Sequence, residues 1–142
     1  MPITKSALCT VAISVLFATS GAGATDLDYA SVAGLSCKDF LEAYGTDLFF
    51  SLSPPIIGYV TERERNHRFG SAANIGDYVA IGCRLHENYR VGEAVNDLFE
   101  QEKGRGLPAL PIGDATSDPR AQAQWDALDN WLHHKGPRPK FK

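Results

Sequence analysis

Seven side chains in this sequence are of the types that most often do chemistry: Cys9, Cys37, Cys83, His67, His86, His133 and His134. A thiol can serve as nucleophile, metal ligand or redox partner, and an imidazole as base or ligand. Their spacing excludes most of these roles. There is no Cys-x-x-Cys pair for thiol–disulfide exchange. His133 and His134 are adjacent, and neighbours on a helix point about 100° apart, which makes a poor chelate. His86 falls on an apolar stripe and is expected to be a hydrogen-bonded core histidine rather than a ligand. A hydrolase needs a nucleophile, a base and an orienting group, and no serine here sits in a nucleophile-elbow pattern. Gly104 and Gly106 are too few for a phosphate loop, and no Gly-Lys-Ser/Thr follows them. The residues therefore predict no catalytic centre, no cofactor and no metal site. What remains is the possibility that the cysteines are structural.

That possibility depends on where the chain resides. Residues 1–24 read as a secretory signal peptide: Lys5 gives a positive start, Ala7 to Ala18 is mostly apolar, and Ala22-Gly23-Ala24 is a small-residue cleavage pattern. Cleavage is expected before Thr25. A membrane anchor would need about 20 apolar residues, and Thr10, Ser14 and Thr19 interrupt this run. Cys9 stands at the start of the apolar stretch and leaves with it, so the mature chain keeps Cys37 and Cys83. In an oxidising compartment two cysteines predict one disulfide, with two buried free thiols as the alternative. The pair is 46 residues apart, and closing a loop of that length contributes about 4 kcal/mol.

Length, charge and patterning then set the frame. The chain has 142 residues, 14 Lys+Arg, 17 Asp+Glu and a formal charge of −3. An acidic chain of this kind is no general nucleic-acid binder, which needs a basic face. With 44% hydrophobic and 10% aromatic residues it can bury a core as one domain. Without the signal it carries 13 basic and 17 acidic side chains, or −4. No membrane association is expected of it after cleavage.

The elements read as helices. Residues 25–35 lack periodicity and form an N-terminal arm. Ser36-Cys37-Lys38-Asp39 resembles a capping box, and Cys37, Phe40, Leu41, Tyr44 and Leu48 recur at helical spacing, which predicts helix one over about 37–50 with Gly45 weakening it. Ser53 and Pro54 fit the cap and first position of helix two, with Ile56, Ile57, Tyr59 and Val60 on its apolar face. Asn74-Ile75-Gly76-Asp77 could cap helix three, along which Ile75, Tyr78, Val79, Gly82 and Cys83 form a stripe. A strand over 77–81 is the alternative there, since these residues are β-formers. Val91, Ala94, Val95, Leu98 and Phe99 mark helix four, with Gly104 as its C-cap. Residues 104–117 are a Gly/Pro-rich linker. Asp118-Pro119 restarts a helix bearing Ala121, Trp125, Leu128 and Leu132, within a C-terminal segment 118–142 that ends in a basic tail. The predicted fold is all-α: a single-domain bundle of four short helices over 36–103, stapled by one disulfide, plus an appended C-terminal helix.

Three segments resemble, in order, elements of the HdeA/HdeB acid-stress chaperone family. Ser36-Cys37-Lys38-Asp39-Phe40-Leu41 is similar to the opening of the family's core. Pro55-Ile56-Ile57-Gly58-Tyr59-Val60 is similar to its second element, and Ile81-Gly82-Cys83-Arg84 with Ala94, Val95 and Leu98 to its second cysteine and closing helix. The likeness spans about residues 36–100. It departs from the family in about forty added C-terminal residues, which include Trp125 and Trp131, and in Glu62-Arg63-Glu64-Arg65.

The resemblance implies a small helical periplasmic protein, a homodimer near neutral pH, that partly unfolds in acid and holds unfolded periplasmic proteins without ATP. The apolar positions expected to meet clients or a second copy are Phe40, Leu41, Ile56, Ile57, Tyr59, Val95, Leu98 and Phe99. In strong acid most carboxylates are neutral and the mature charge approaches about +17, so self-repulsion favours opening. The competing expectation is a periplasmic partner-binding protein such as a Tai-type immunity protein. Ile57-Gly58-Tyr59-Val60 resembles the Gly-Tyr element of that group, which usually carries further cysteines. A secreted enzyme is the least supported class.

Overall fold

A computed structural model describes residues 27–64, 69, 71–134 and 136–141. The expected signal peptide, its cleavage site and His67 lie outside these residues. Among these described residues six helices follow one another: α1 (Tyr29–Ala33), α2 (Cys37–Ala43), α3 (Asp47–Arg63), α4 (Asn74–Leu85), α5 (Val91–Arg105) and α6 (Pro119–His133). Among the described residues the sole β feature is an isolated bridge between Ser36 and Arg90, and the all-α expectation holds.

The helices arrange themselves around a single core. Phe40, Ile56, Ile75, Ile81, Val95 and Leu128 are each at most 2% exposed. Helix α4 is the hub, packing against α2, α3, α5 and α6, while α1 lies on α3 and α5. Gly76 lets α3 approach α4 closely, because a methyl group there would sit 3.0 Å from both Phe49 Cζ and Ser53 Oγ.

Several boundaries differ from the sequence reading, each for a local reason. The expected arm is partly ordered: Asp28 caps α1 by accepting from the Ser31 amide at 2.8 Å, and Val32 is buried. Helix one does not run to residue 50. Gly45 adopts φ 79°, a left-handed conformation that ends α2, and Thr46 donates to the Ala43 carbonyl in the turn. Ser53 and Pro54 do not begin a helix; α3 starts at Asp47 and carries Pro54 and Pro55 within it. The missing N–H groups fall at exposed Pro54 and half-buried Pro55, where water can reach the freed carbonyls and lower the usual cost. Residues 77–81 are helical, as preferred over a strand. The N-cap of α4 is Ala73, with no side-chain cap; Asp77 is occupied by Tyr44 instead. Gly104 lies inside α5, and Gly106, at φ 69°, is the residue that ends it.

The Ser36 N-cap and the last restart hold, but the opening capping box is only half made: the Asp39 carboxylate accepts from the Ser36 hydroxyl at 2.7 Å rather than from its backbone amide. Ser36 accepts from the Asp39 amide at 3.0 Å, and Asp118 accepts from the Arg120 amide at 2.8 Å with Pro119 in the first turn. The Gly/Pro-rich stretch contributes Leu110 to the core. Helix α6 folds back on the bundle: Leu128, Trp131 and Leu132 belong to the same core cluster as Phe40 and Cys83.

Candidate functional site, the stapled core

Cys37 and Cys83 form a disulfide, with their Cα atoms 4.9 Å apart, that joins the first residue of α2 to α4. Local hydrogen bonding sets up the junction. The Cys37 amide donates to the Tyr89 carbonyl at 2.9 Å, and the Val91 amide to the Leu35 carbonyl at 3.0 Å. Arg90 reaches back to the Gly34 carbonyl at 2.6 Å, while its own amide donates to Glu93 at 2.7 Å. The start of α2 is thus held against the entry to α5 on one side and to α4 covalently on the other.

Among the described residues, Asp77 at the same α2–α4 junction is the strongly perturbed carboxylate. Tyr44 Oη donates to Asp77 Oδ1 at 2.7 Å, linking the end of α2 to the first turn of α4. Burial raises the Asp77 carboxyl to about 6, against the opposing effect of the Tyr44 donor. Burial, reinforced by the charge of Asp77, also raises the Tyr44 phenol, so it stays a donor at ordinary pH. Tyr44 and Phe40 both meet Phe49, at ring distances of 4.8 and 5.6 Å. The carboxylates held below their ordinary range lie on the periphery. Asp28 is lowered by its hydrogen bonds from Ser31, and Asp114 by those from the Thr116 amide and hydroxyl.

Of the eight apolar positions singled out in the sequence, Phe40, Leu41, Ile56, Val95, Leu98 and Phe99 are buried, and Ile57 and Tyr59 are half-buried. They are brought together as core rather than as standing surface. Tyr59 stacks on Tyr29 of α1 with centroids 3.7 Å apart, and lies 6.4 Å from Phe99. A client could meet most of these side chains only after the helices part. The sequence reading missed Trp131 and Leu110 as core residues. Trp131 follows the i, i+3 rhythm after Leu128 and was detectable; Leu110, in a Gly/Pro-rich stretch, had no periodic signal.

Among the described residues, His86, His133 and His134 form no catalytic constellation. His86 is exposed rather than in the core, stacked on Tyr89 at 4.4 Å with Nε2 3.7 Å from Asp97. The apolar stripe ends one turn earlier, at Cys83. His133 Nδ1 pairs with the Asp129 carbonyl at 2.9 Å. Among the described residues no group of three His, Cys, Asp or Glu could hold a metal ion. A cleft of about 390 Å3 opens between α2, α4 and α6, floored by Leu41 and Leu132. Its guanidinium, Arg84, is already committed: it donates to the Trp131 and His134 carbonyls at 3.0 and 2.7 Å and pairs with Glu87 at 2.7 Å. Arg84 there serves as the clasp that satisfies the C-terminal carbonyls of α6. No protein-family model, curated protein or solved structure matches the chain.

Proposed function

We propose that the protein is a periplasmic acid-stress holdase that binds unfolding proteins without ATP. The observation that carries this reading is the location of its apolar positions. Six of the eight lie in one core that a disulfide clasps, so binding through them is conditional on opening. The staple keeps α2 and α4 joined when the rest separates. The closed state would be the inactive form near neutral pH, as a monomer or homodimer.

The titrating groups sharpen the pH at which opening is expected. Asp77, with its folded value raised, contributes stability that is fully present below the ordinary carboxylate value of about 3.9 and is lost as pH rises through about 6. Mild acid therefore tightens the α2–α4 junction. Asp28 and Asp114, with folded values lowered, contribute stability present above the ordinary carboxylate value and lost as pH falls through their depressed ones. Opening is expected below about pH 4, where these hydrogen bonds to Asp28 and Asp114 fail and the charge becomes strongly positive. The test is suppression of a model client's aggregation by the disulfide-intact protein. Protection at pH 2–3 and none at pH 7 is expected; absence of protection at every pH overturns the reading.

A folded-state partner-binding role, of the Tai-type immunity kind, is the second reading. It is favoured by the apolar side chains that α3 leaves in water, Phe50 at 70% and Leu48 at 55% exposure. Such a protein stays closed in acid and holds one tight partner, whereas a holdase opens and holds many weak ones.

A further inference from the structure

The outer face of α3 is the least expected surface of this acidic protein. From Leu48 to Thr61 the helix runs fourteen residues without a charged side chain. A solvent-facing helix ordinarily carries charge on its outer face. Here that face presents Phe50, Ser51, Pro54 and Gly58, all exposed. Space above Gly58 is open, with nothing within 4 Å of where a Cβ would stand. The face is bounded at one end by Asp47 and at the other by Glu62, both exposed and about 22 Å apart at helical rise. The only cation of the helix is turned elsewhere: Arg63 lies over the Phe99 ring at 4.7 Å and donates to Tyr59 Oη at 2.9 Å.

The backbone adds to this one-sidedness. Proline has no N–H, so Pro54 and Pro55 deprive the carbonyls of Phe50 and Ser51 of the donors that a helix supplies four residues on. The Ser53 hydroxyl donates to the Phe49 carbonyl at 2.8 Å, not to either of these. The face is therefore an apolar ridge beside two acceptor carbonyls, with a carboxylate at each end and the Ser51 hydroxyl as its one side-chain donor.

We propose that this face docks a basic amphipathic helix of another protein, its apolar side chains meeting Phe50 and Pro54 and its Lys or Arg side chains meeting Asp47, Glu62 and the two free carbonyls. Charge complementarity selects that occupant. A second copy offers acceptors against acceptors: antiparallel pairing sets Asp47 opposite Glu62 of the other copy, and parallel pairing sets each carboxylate against itself. An anionic lipid surface or a nucleic acid is repelled by the same two carboxylates. The site belongs to the closed fold, so it stands or falls apart from the acid reading.

The experiment uses the full mature chain at pH 7 with a synthetic Leu/Lys amphipathic helical peptide, and the same peptide with each Lys replaced by Glu. Amide shifts locate binding and a titration gives its strength. Shifts confined to residues 47–62 are expected with the Lys peptide, together with a tenfold or greater loss of affinity in Phe50→Ser. The double variant Asp47→Asn/Glu62→Gln should lose several-fold and show a weaker salt dependence. Equal binding of the Glu peptide, shifts centred elsewhere, or unchanged affinity in Phe50→Ser overturns the proposal. Sedimentation showing self-association that Phe50→Ser abolishes also overturns it, because a second copy would then be the occupant. Because Phe50 is 70% exposed, its replacement should leave the unfolding transition intact, and that transition is measured alongside.

Discussion

The α2–α4 junction and the helices at the edge of the bundle are built on opposite principles. The junction is covalent and buried, and its one titrating pair, Tyr44–Asp77, becomes more favourable as pH falls. Helix α1 is five residues long and is held by one buried valine, one tyrosine stack, the Arg90 bond to its C-cap carbonyl at Gly34 and an exposed carboxylate cap that acid removes. Helix α6 sits between these cases. It is anchored by Leu128 and Leu132 and by Arg84 bonds to carbonyls, which do not titrate. Acid thus acts unevenly on one small fold: it should loosen the edge at α1 while the centre tightens.

The sharpest way to break the comparison is to cut the staple. Cys37→Ser should lower stability by about 4 kcal/mol, the loop-closure value for this separation, as read from denaturant unfolding at pH 7. A loss under about 1 kcal/mol would mean that the junction is held by packing alone. Next in size is Leu128→Ala, which empties a fully buried site and should cost about 2–5 kcal/mol. If α6 is part of the core, the variant keeps a single transition at a lower midpoint. Two separate transitions would make α6 an independent appendage.

Asp77→Asn sharpens the comparison in the opposite direction. It removes a charge that burial disfavours, so stability at pH 7 should rise by about 2–3 kcal/mol, the equivalent of a carboxyl raised to about 6. The gain should shrink toward pH 4, where wild-type Asp77 is itself protonated. An equal effect at pH 4 and pH 7 would show that packing of the amide, not ionisation, sets the outcome. The smallest effect belongs to the edge. Asp28→Ala should speed amide exchange in α1 at pH 7 while leaving α4 unchanged, and the difference from wild type should fade in acid as the native cap protonates. Faster exchange in α4 as well would mean that α1 and the centre open together.

The central elements were legible in the sequence because their signals are local. The Ser36 cap, the Val91–Phe99 stripe and the Asp118-Pro119 restart each rest on side chains a turn or two apart. The cysteine pairing followed from an expected export signal that would carry Cys9 away and leave a count of two. The errors arose where a long-range contact or backbone geometry outweighed the local signal. Ser53-Pro54 has the look of a helix start, yet α3 passes through it, with Pro54 on the exposed side of the helix. Gly45 was read as a weak point within a helix, but its positive φ makes it the end of one. Nothing in the spacing of Tyr44 and Asp77, thirty-three residues apart, could announce that they share a hydrogen bond. Likewise, the outer face of α3 was read only for its inner stripe, although the absence of charge from residue 48 to 61 was visible in the sequence.

As the proposed holdase, the protein stays closed through mild acid and opens, stapled, below about pH 4 to bind clients through its former core. The most direct measurement is a pH series on the disulfide-intact protein, from pH 7 to pH 2, following apolar-dye binding and suppression of a model client's aggregation in the same samples. No dye binding is expected between pH 7 and pH 5, then a rise below about pH 4 with client protection appearing over the same interval. Dye binding that climbs steadily from pH 7, or client protection that is equal at pH 7 and pH 3, would contradict it.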